Sequence, residues 1–266
     1  MDIRIGTSGF SFDDWVGPIY PKGLKKQDWL KFYESDLGFK TVEINYTYYA
    51  MPTVKTLSSM NSKTTDDFSF VVKAHRSMTH EITDNLARMA ETFRHGVQPL
   101  RTSNRLTAVL LQFPYSFHYT PESRRHLDRI SKLLEGLPLA FEFRSAEWQR
   151  ESVYTTMRER EIALVCVDEP DLPRLPKPDE TVTSGLAYLR FHGRNSANWW
   201  QGDNTQRYDY LYSDHELSDW VGRVKRIARK ARLLLVTFNN HFRSQAIKNA
   251  RRFKLMLTEA GLEEVH

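Results

Sequence analysis

The residues best equipped for chemistry in this 266-residue chain fall in short apolar, β-branched runs, where a strand buried on both faces should carry few polar groups. They are Glu43, Lys73, Glu142, Arg144, Asp168, Arg190 and His192. Glu43 and Glu142 suit a carboxylate pair for acid and base work, one kept protonated by burial and the other kept ionised by Arg144 or Lys73. On a glycoside, their separation would decide between retention and inversion. His192 titrates near neutrality when unperturbed, so it is either a proton carrier or an orienting donor. Lys73 suits imine formation, although an ion-paired lysine is the commoner case. Arg144, Arg190 and Arg194 carry planar forks that take carboxylate or phosphate through two hydrogen bonds, which points to an anionic ligand. Glu43, Glu142, Asp168 and His192 are also hard oxygen and imidazole ligands, so a divalent metal is the cofactor they leave open. Neighbouring cations compete for those carboxylates, and no HExxH, paired CxxC or EF-hand spacing is present, so no metal site is assigned.

Eight β-branched runs must position these groups: 3–6, 41–45, 68–74, 107–113, 139–143, 163–168, 187–192 and 233–239. Segments with helical spacing lie between them at 25–37, 54–62, 84–101, 121–135, 151–161, 215–230 and 244–260. The stretch 169–183 carries Pro170, Pro173, Pro176 and Pro178, so a rigid loop is expected in place of a sixth helix. Eight β-α units in a chain of this size predict one (β/α)8 barrel of TIM type spanning residues 1–266, since an open doubly wound sheet uses fewer strands. Alternation then assigns faces. In Val42-Glu43-Ile44-Asn45 and Phe141-Glu142-Phe143-Arg144 the apolar set should meet the helices and the polar set should point inward. The same rule sends Gly6 and Ser8, Lys73 and His75, Gln112, Cys166 and Asp168, Arg190 and His192, and Thr237 and Asn239 to the inner or upper face. An ion-pair network that merely fills the barrel would satisfy these charges. A binding site explains the desolvation cost better, because a structural barrel packs branched aliphatics there.

Aromatics crowd the loops after the strands: Phe10, Phe12 and Trp15; Tyr46, Tyr48 and Tyr49; Phe113, Tyr115 and Phe117; Trp148; Trp199, Trp200, Tyr208 and Tyr210. Part of this set should pack the loops, and the rest would line a cleft suited to sugar rings or bases. Gly193, in Phe191-His192-Gly193-Arg194-Asn195, is either a tight turn or a point of close approach for phosphate, the position many TIM barrels use. No Walker A or dinucleotide glycine signature accompanies it.

Taken in order, these motifs resemble the YecE-like family, catalogued as domain of unknown function 72. The resemblance rests on Ile5 to Phe10 with Trp15 and Tyr20-Pro21; Val42 to Asn45 with Tyr48, Tyr49 and Pro52; and Phe70 to Lys73 with Thr79-His80. It continues through Gln112-Phe113-Pro114, Glu142-Phe143-Arg144 with Trp148, Val167-Asp168, Leu189 to Arg194, and Phe238-Asn239-Asn240 with Asn249-Ala250. The resemblance covers essentially the whole chain and implies a TIM-type barrel without an activity. Its likeness to barrels of the endonuclease IV and xylose isomerase type is an analogy of fold. Phe10 stands where the family often has Trp, and Trp199 or Trp200 where it has Tyr, so the aromatic wall is preserved.

Composition narrows the class. With 40% hydrophobic and 27% charged residues the chain is globular, and its formal charge of +5 is compatible with an anionic ligand but far from a nucleic-acid arm. The single cysteine, Cys166, forms no internal disulfide, no apolar run is long enough to span a membrane, and the start carries charges; a cytoplasmic protein without a membrane partner is expected. The basic runs 223–232 and 251–254 belong on a solvated helix face.

The expected function is an enzyme of hydrolase, lyase or isomerase type acting on an anionic, phosphorylated or sugar-containing molecule at the C-terminal face of the barrel. Glu43, Glu142, Lys73, His192 and Asp168 form the catalytic set. Ser8, Trp15, Asn45, His75, Gln112, Arg144, Arg190, Arg194 and Asn239 would bind the ligand. The competing readings are a nucleic-acid-binding or repair protein shaped like endonuclease IV, and a non-catalytic ligand sensor using the same pocket.

Overall fold

A computed structural model of the chain describes residues 1–81, 84–262 and 266. Eight parallel strands follow one another around a closed barrel: β1 (Asp2–Ser8), β2 (Thr41–Ile44), β3 (Ser69–Lys73), β4 (Leu106–Phe113), β5 (Leu139–Phe143), β6 (Ala163–Asp168), β7 (Leu186–Phe191) and β8 (Leu233–Phe238). Closure is made by β1 on β8, in register from Asp2 against Leu233 to Thr7 against Phe238. Beside β2 the barrel wall is too tight for any side chain at Gly6, whose Cβ would stand 2.2 Å from the Thr41 carbonyl oxygen.

The helices are α1 (Trp29–Ser35), α2 (Val54–Asn61), α3 (Leu86–Thr102), α4 (Pro121–Leu133), α5 (Glu151–Glu159), the single turn α6 (Asn204–Arg207), α7 (Asp214–Ala228) and α8 (Gln245–Glu259). Local sequence starts several of them. Thr53 caps α2 by accepting from Thr56 N at 3.1 Å, Thr120 caps α4 ahead of Pro121 in its first turn, and Ser213 with Glu216 forms a reciprocal box at α7. The helix expected over 25–37 is shorter, opening as a 3-10 turn over Lys26–Asp28 before α1. From Glu169 to Gly185, between β6 and β7, the chain forms no helix. Among the described residues, no helix is long and apolar enough to cross a membrane.

Alternation divides the strand residues into two apolar sets. Val71, Ala108, Leu110, Ala140, Ala163, Val165, Val167, Tyr188 and Leu235 fill the barrel, while Val42, Phe70, Leu111, Phe141, Phe191, Phe238 and their neighbours meet the helices. Strand β6 corrects one expectation. Its inward residues are Ala163, Val165 and Val167, so Cys166 and Asp168 face the helix layer. The sequence rule took the polar residue as the inward one. Here Tyr212 and Trp220 on the outside supply the hydrogen bonds that make an outward carboxylate acceptable.

Candidate functional site

Above the apolar filling, the C-terminal ends of the strands carry a charged layer built around Arg190. Glu43 takes its Nε at 2.8 Å and its Nη2 at 2.6 Å, Glu142 takes Nη1 at 2.5 Å, and Ser8 Oγ lies 3.4 Å from Nη2. Tyr188 and Thr237 donate to the same Glu43 oxygen. These contacts take most of the donor capacity of Arg190, although its edge reaches the hollow above. Arg144 Nε stands 2.7 Å from Glu142 Oε1, angled away from a directed hydrogen bond, and Arg144 Nη1 donates to Glu169 Oε2 at 2.7 Å.

This arrangement changes the roles expected of Glu43 and Glu142. Both are fully buried beneath Arg190 and neither lines the hollow. Burial alone would raise their pKa values, but the charge of Arg190 outweighs it, joined by Lys73 at Glu43 and by Arg144 at Glu142. Both carboxyls are held below the usual range, so neither supplies the protonated member of an acid–base pair. The metal set considered from sequence is likewise not assembled: Glu43 and Glu142 are taken by guanidinium groups and Asp168 faces outward. Among the described residues no cluster of three or more His, Cys, Asp or Glu side chains is arranged to hold a metal ion.

His192 lies in the same buried layer. Its Nδ1 lies 3.1 Å from Asn239 Nδ2 and 3.3 Å from Arg144 Nη2, both donors, while Nε2 stands 3.3 Å from the Arg190 Nη1 donor and 3.3 Å from Glu142 Oε1, so the proton is assigned to Nε2, the nitrogen with an acceptor beside it. Burial first, then Arg144, pushes its pKa down to about 3. The ring is therefore neutral at ordinary pH, which speaks against the proton carrier among the two roles expected of it. Long-range ¹⁵N spectra should show the Nε2-protonated tautomer with no titration of this ring between about pH 5 and 8; a midpoint near the unperturbed value of about 6.5 would contradict the assignment.

Over this layer opens a hollow of about 400 Å³. Of the expected site residues, Ser8, Asn45, Lys73, Gln112, Arg144, Arg190 and Asn239 line it. Four others do not. Trp15 is buried behind it, donating from Nε1 to the His241 carbonyl at 2.8 Å and packing on Phe12, so it supports two lining residues. His75 caps the 3-10 turn Arg76–Met78, its ring accepting from Ser77 N at 3.2 Å. Arg194 forks onto Asp168 at 2.8 and 2.6 Å, and Asp168 also accepts from Tyr212 and Trp220. Gly193 follows the tight-turn reading: its φ is 87°, a Cβ would stand 2.7 Å from Tyr210 Cβ, and its N–H is used by Tyr212 Oη at 2.9 Å.

The aromatic set divides as well. Phe113, Phe117 and Trp148 stack among themselves and with Phe143 in the core, while Phe12, Tyr48, Tyr49, Tyr115, Trp199, Trp200 and Tyr208 line the hollow. Sequence reasoning missed His80, Arg207, His241 and Glu169. Arg207 comes from α6 inside the long β7–α7 connection, where no strand alternation marks a direction. Glu169 directly follows Asp168; burial pushes its pKa up to about 7 against the pull of Arg144, and its Oε1 is buried without a hydrogen-bond partner among the described residues.

A barrel with a charged rim is common to many unrelated chains, so lineage must come from comparison. The family model described as a protein of unknown function, DUF72, matches residues 4–265. The chain belongs to the DUF72 family. This family member is 29% identical to UPF0759 protein YunF of Bacillus subtilis, over 96% of this chain and 94% of that one. It is also similar to the crystal structure of a DUF72 family protein from Thermotoga maritima, with TM-score 0.90, 40% identity and 97% and 100% coverage of the two chains. A xylose isomerase domain containing protein from Salmonella typhimurium superposes with TM-score 0.57 at 12% identity, covering 96% and 97% of the chains. That likeness shows the fold alone.

The cations of this DUF72 hollow are unevenly matched. Arg190 and Arg144 answer to Glu43, Glu142 and Glu169, whereas Lys73 and Arg207 have no carboxylate within ion-pair distance among the described residues. Lys73 donates to Gln112 Oε1 at 3.0 Å and lies over the Tyr48 ring at 4.7 Å. Arg207 Nε and Asn45 Oδ1 are buried without hydrogen-bond partners among the described residues.

Proposed function

We propose that this chain binds a small phosphorylated or sugar-containing anion in the hollow at the C-terminal rim of the barrel and acts on it there. The observation that carries this reading is charge: Lys73, Arg144, Arg190 and Arg207 line the hollow and, among the described residues, no carboxylate does. The volume suits a small molecule. Tyr48, Trp199 and Tyr208 offer flat faces for the carrier of the anionic group. Arg207 and the outer edge of Arg144 would meet the anion, while Asn45, Gln112 and Asn239 would orient it. Glu43 and Glu142 serve from below, holding Arg190 and Arg144 in place.

Binding to the folded state raises the melting temperature, so thermal shift and calorimetry with ribose 5-phosphate, inorganic phosphate and ribose test the reading. The phosphate compounds are expected to bind and ribose to bind far more weakly. Arg207→Ala should cost about tenfold or more in affinity for ribose 5-phosphate, the share of one hydrogen bond to a charged group, with the unliganded melting temperature unchanged. If neither phosphate compound binds, the proposal fails. Salt-dependent binding of a single-stranded oligonucleotide that phosphate does not displace would replace it with the nucleic-acid reading.

A further inference from the structure

Lys73 sits where a lysine is usually paired, yet among the described residues it has no carboxylate partner. It ends β3 inside the charged layer, and the backbone carbonyl of the same residue is fixed by Thr47 Oγ1 at 2.6 Å, so the base of the side chain is immobilised. Its Nζ opens on the hollow with Gln112 Oε1 as hydrogen-bond acceptor and the face of Tyr48 beside it. The two buried glutamates that could have paired with it are both committed to Arg190. A desolvated amine beside guanidinium groups, without a carboxylate of its own, is the setting that turns a lysine into a nucleophile.

We infer that Lys73 forms an imine with a carbonyl compound that carries an anionic group, the arginines of the hollow holding the anion while the amine meets the carbonyl carbon. The inference rests on the anion-binding reading and names its substrate class. The unprotonated Nζ attacks the carbonyl carbon, forming a C–N bond as the C=O π pair moves to oxygen. Oxygen gains a proton and nitrogen loses one, giving a carbinolamine. The hydroxyl then leaves as water with a proton from solvent, and the nitrogen lone pair closes the C=N bond as a protonated imine. Nothing is oxidised or reduced. The charged groups acting on Nζ are Glu43 on β2, Glu142 and Arg144 at the end of β5, and Arg190 on β7. Burial leads, Arg190 adds to it and the glutamates oppose it, bringing the amine down to about 8, so a usable fraction is unprotonated near neutrality.

The test is reductive trapping. The full chain is incubated with dihydroxyacetone phosphate and borohydride, digested and mapped by mass spectrometry, with uncharged dihydroxyacetone as control. The expected product is one adduct per chain, the mass of the probe less one oxygen, on the peptide containing Lys73. Labelling should rise with pH through about 8, and fall about tenfold or more with the uncharged ketone, which lacks the charge-assisted contact. Lys73→Arg should abolish that adduct; mapping of the unaltered chain gives the answer even if the variant fails to fold. Adducts spread over surface lysines, or none while phosphate still raises the melting temperature, would overturn the imine and leave the anion site standing. Loss of phosphate binding as well would remove both.

Discussion

Glu43→Gln is expected to destabilise the fold by about 3–5 kcal/mol, the usual cost of removing one partner of a buried ion pair and stranding the other charge. In a chain of this size that lowers the melting temperature by on the order of 10 °C. The reason is the position of Arg190: it is 1% exposed, gives two of its N–H groups to Glu43, and keeps only Glu142 as an anionic partner once that carboxylate is neutral. Tyr188 and Thr237, which donate to the same oxygen, lose the charge they serve. The sign of the pH dependence follows. Arg190 overcomes burial and holds the Glu43 carboxyl below its unfolded value, so the stabilisation is present above the unfolded pKa and is lost as pH falls through the folded one. The variant should therefore show a flatter acid limb in its melting temperature. An unchanged melting temperature with lost ligand turnover would return Glu43 to the catalytic role expected from sequence.

Asp168→Ala separates structure from site in the opposite direction. The carboxylate takes both arms of Arg194 and the Tyr212 and Trp220 donors, and Tyr212 and Trp220 are almost fully buried. Their orphaned donors should cost about 3 kcal/mol; Arg194 is partly exposed and finds Glu216 or water. The affinity for ribose 5-phosphate should stay as it was, because Asp168 and Arg194 face the helix layer and not the hollow. Calorimetry on the folded variant decides it: a large loss of affinity at unchanged stability would place Asp168 at the ligand after all.

These two carboxylates show why sequence carried the argument only part of the way. At Glu43 the strand alternation and the inward direction agree, because its neighbours Val42 and Ile44 pack outward on the helices. At Asp168 the same rule points the wrong way, since its hydrogen-bond partners Tyr212 and Trp220 lie more than forty residues along the chain and leave no mark on the local pattern. Arg207 and Glu169 were invisible for a related reason, both lying in connections where neither helical nor strand periodicity assigns a direction.

What the sequence by itself determined is the barrel, its eight strands in chain order, and the charged residues at five of their C-terminal ends, because short-range periodicity and turn chemistry dictate these. What only the tertiary structure decided is which charges cancel. Glu43 and Glu142 come from different strands and meet on one guanidinium, leaving Lys73 and Arg207 without carboxylate partners among the described residues. Coulomb energy depends on separations of a few ångströms and on the surrounding dielectric, and both are set by how distant segments pack.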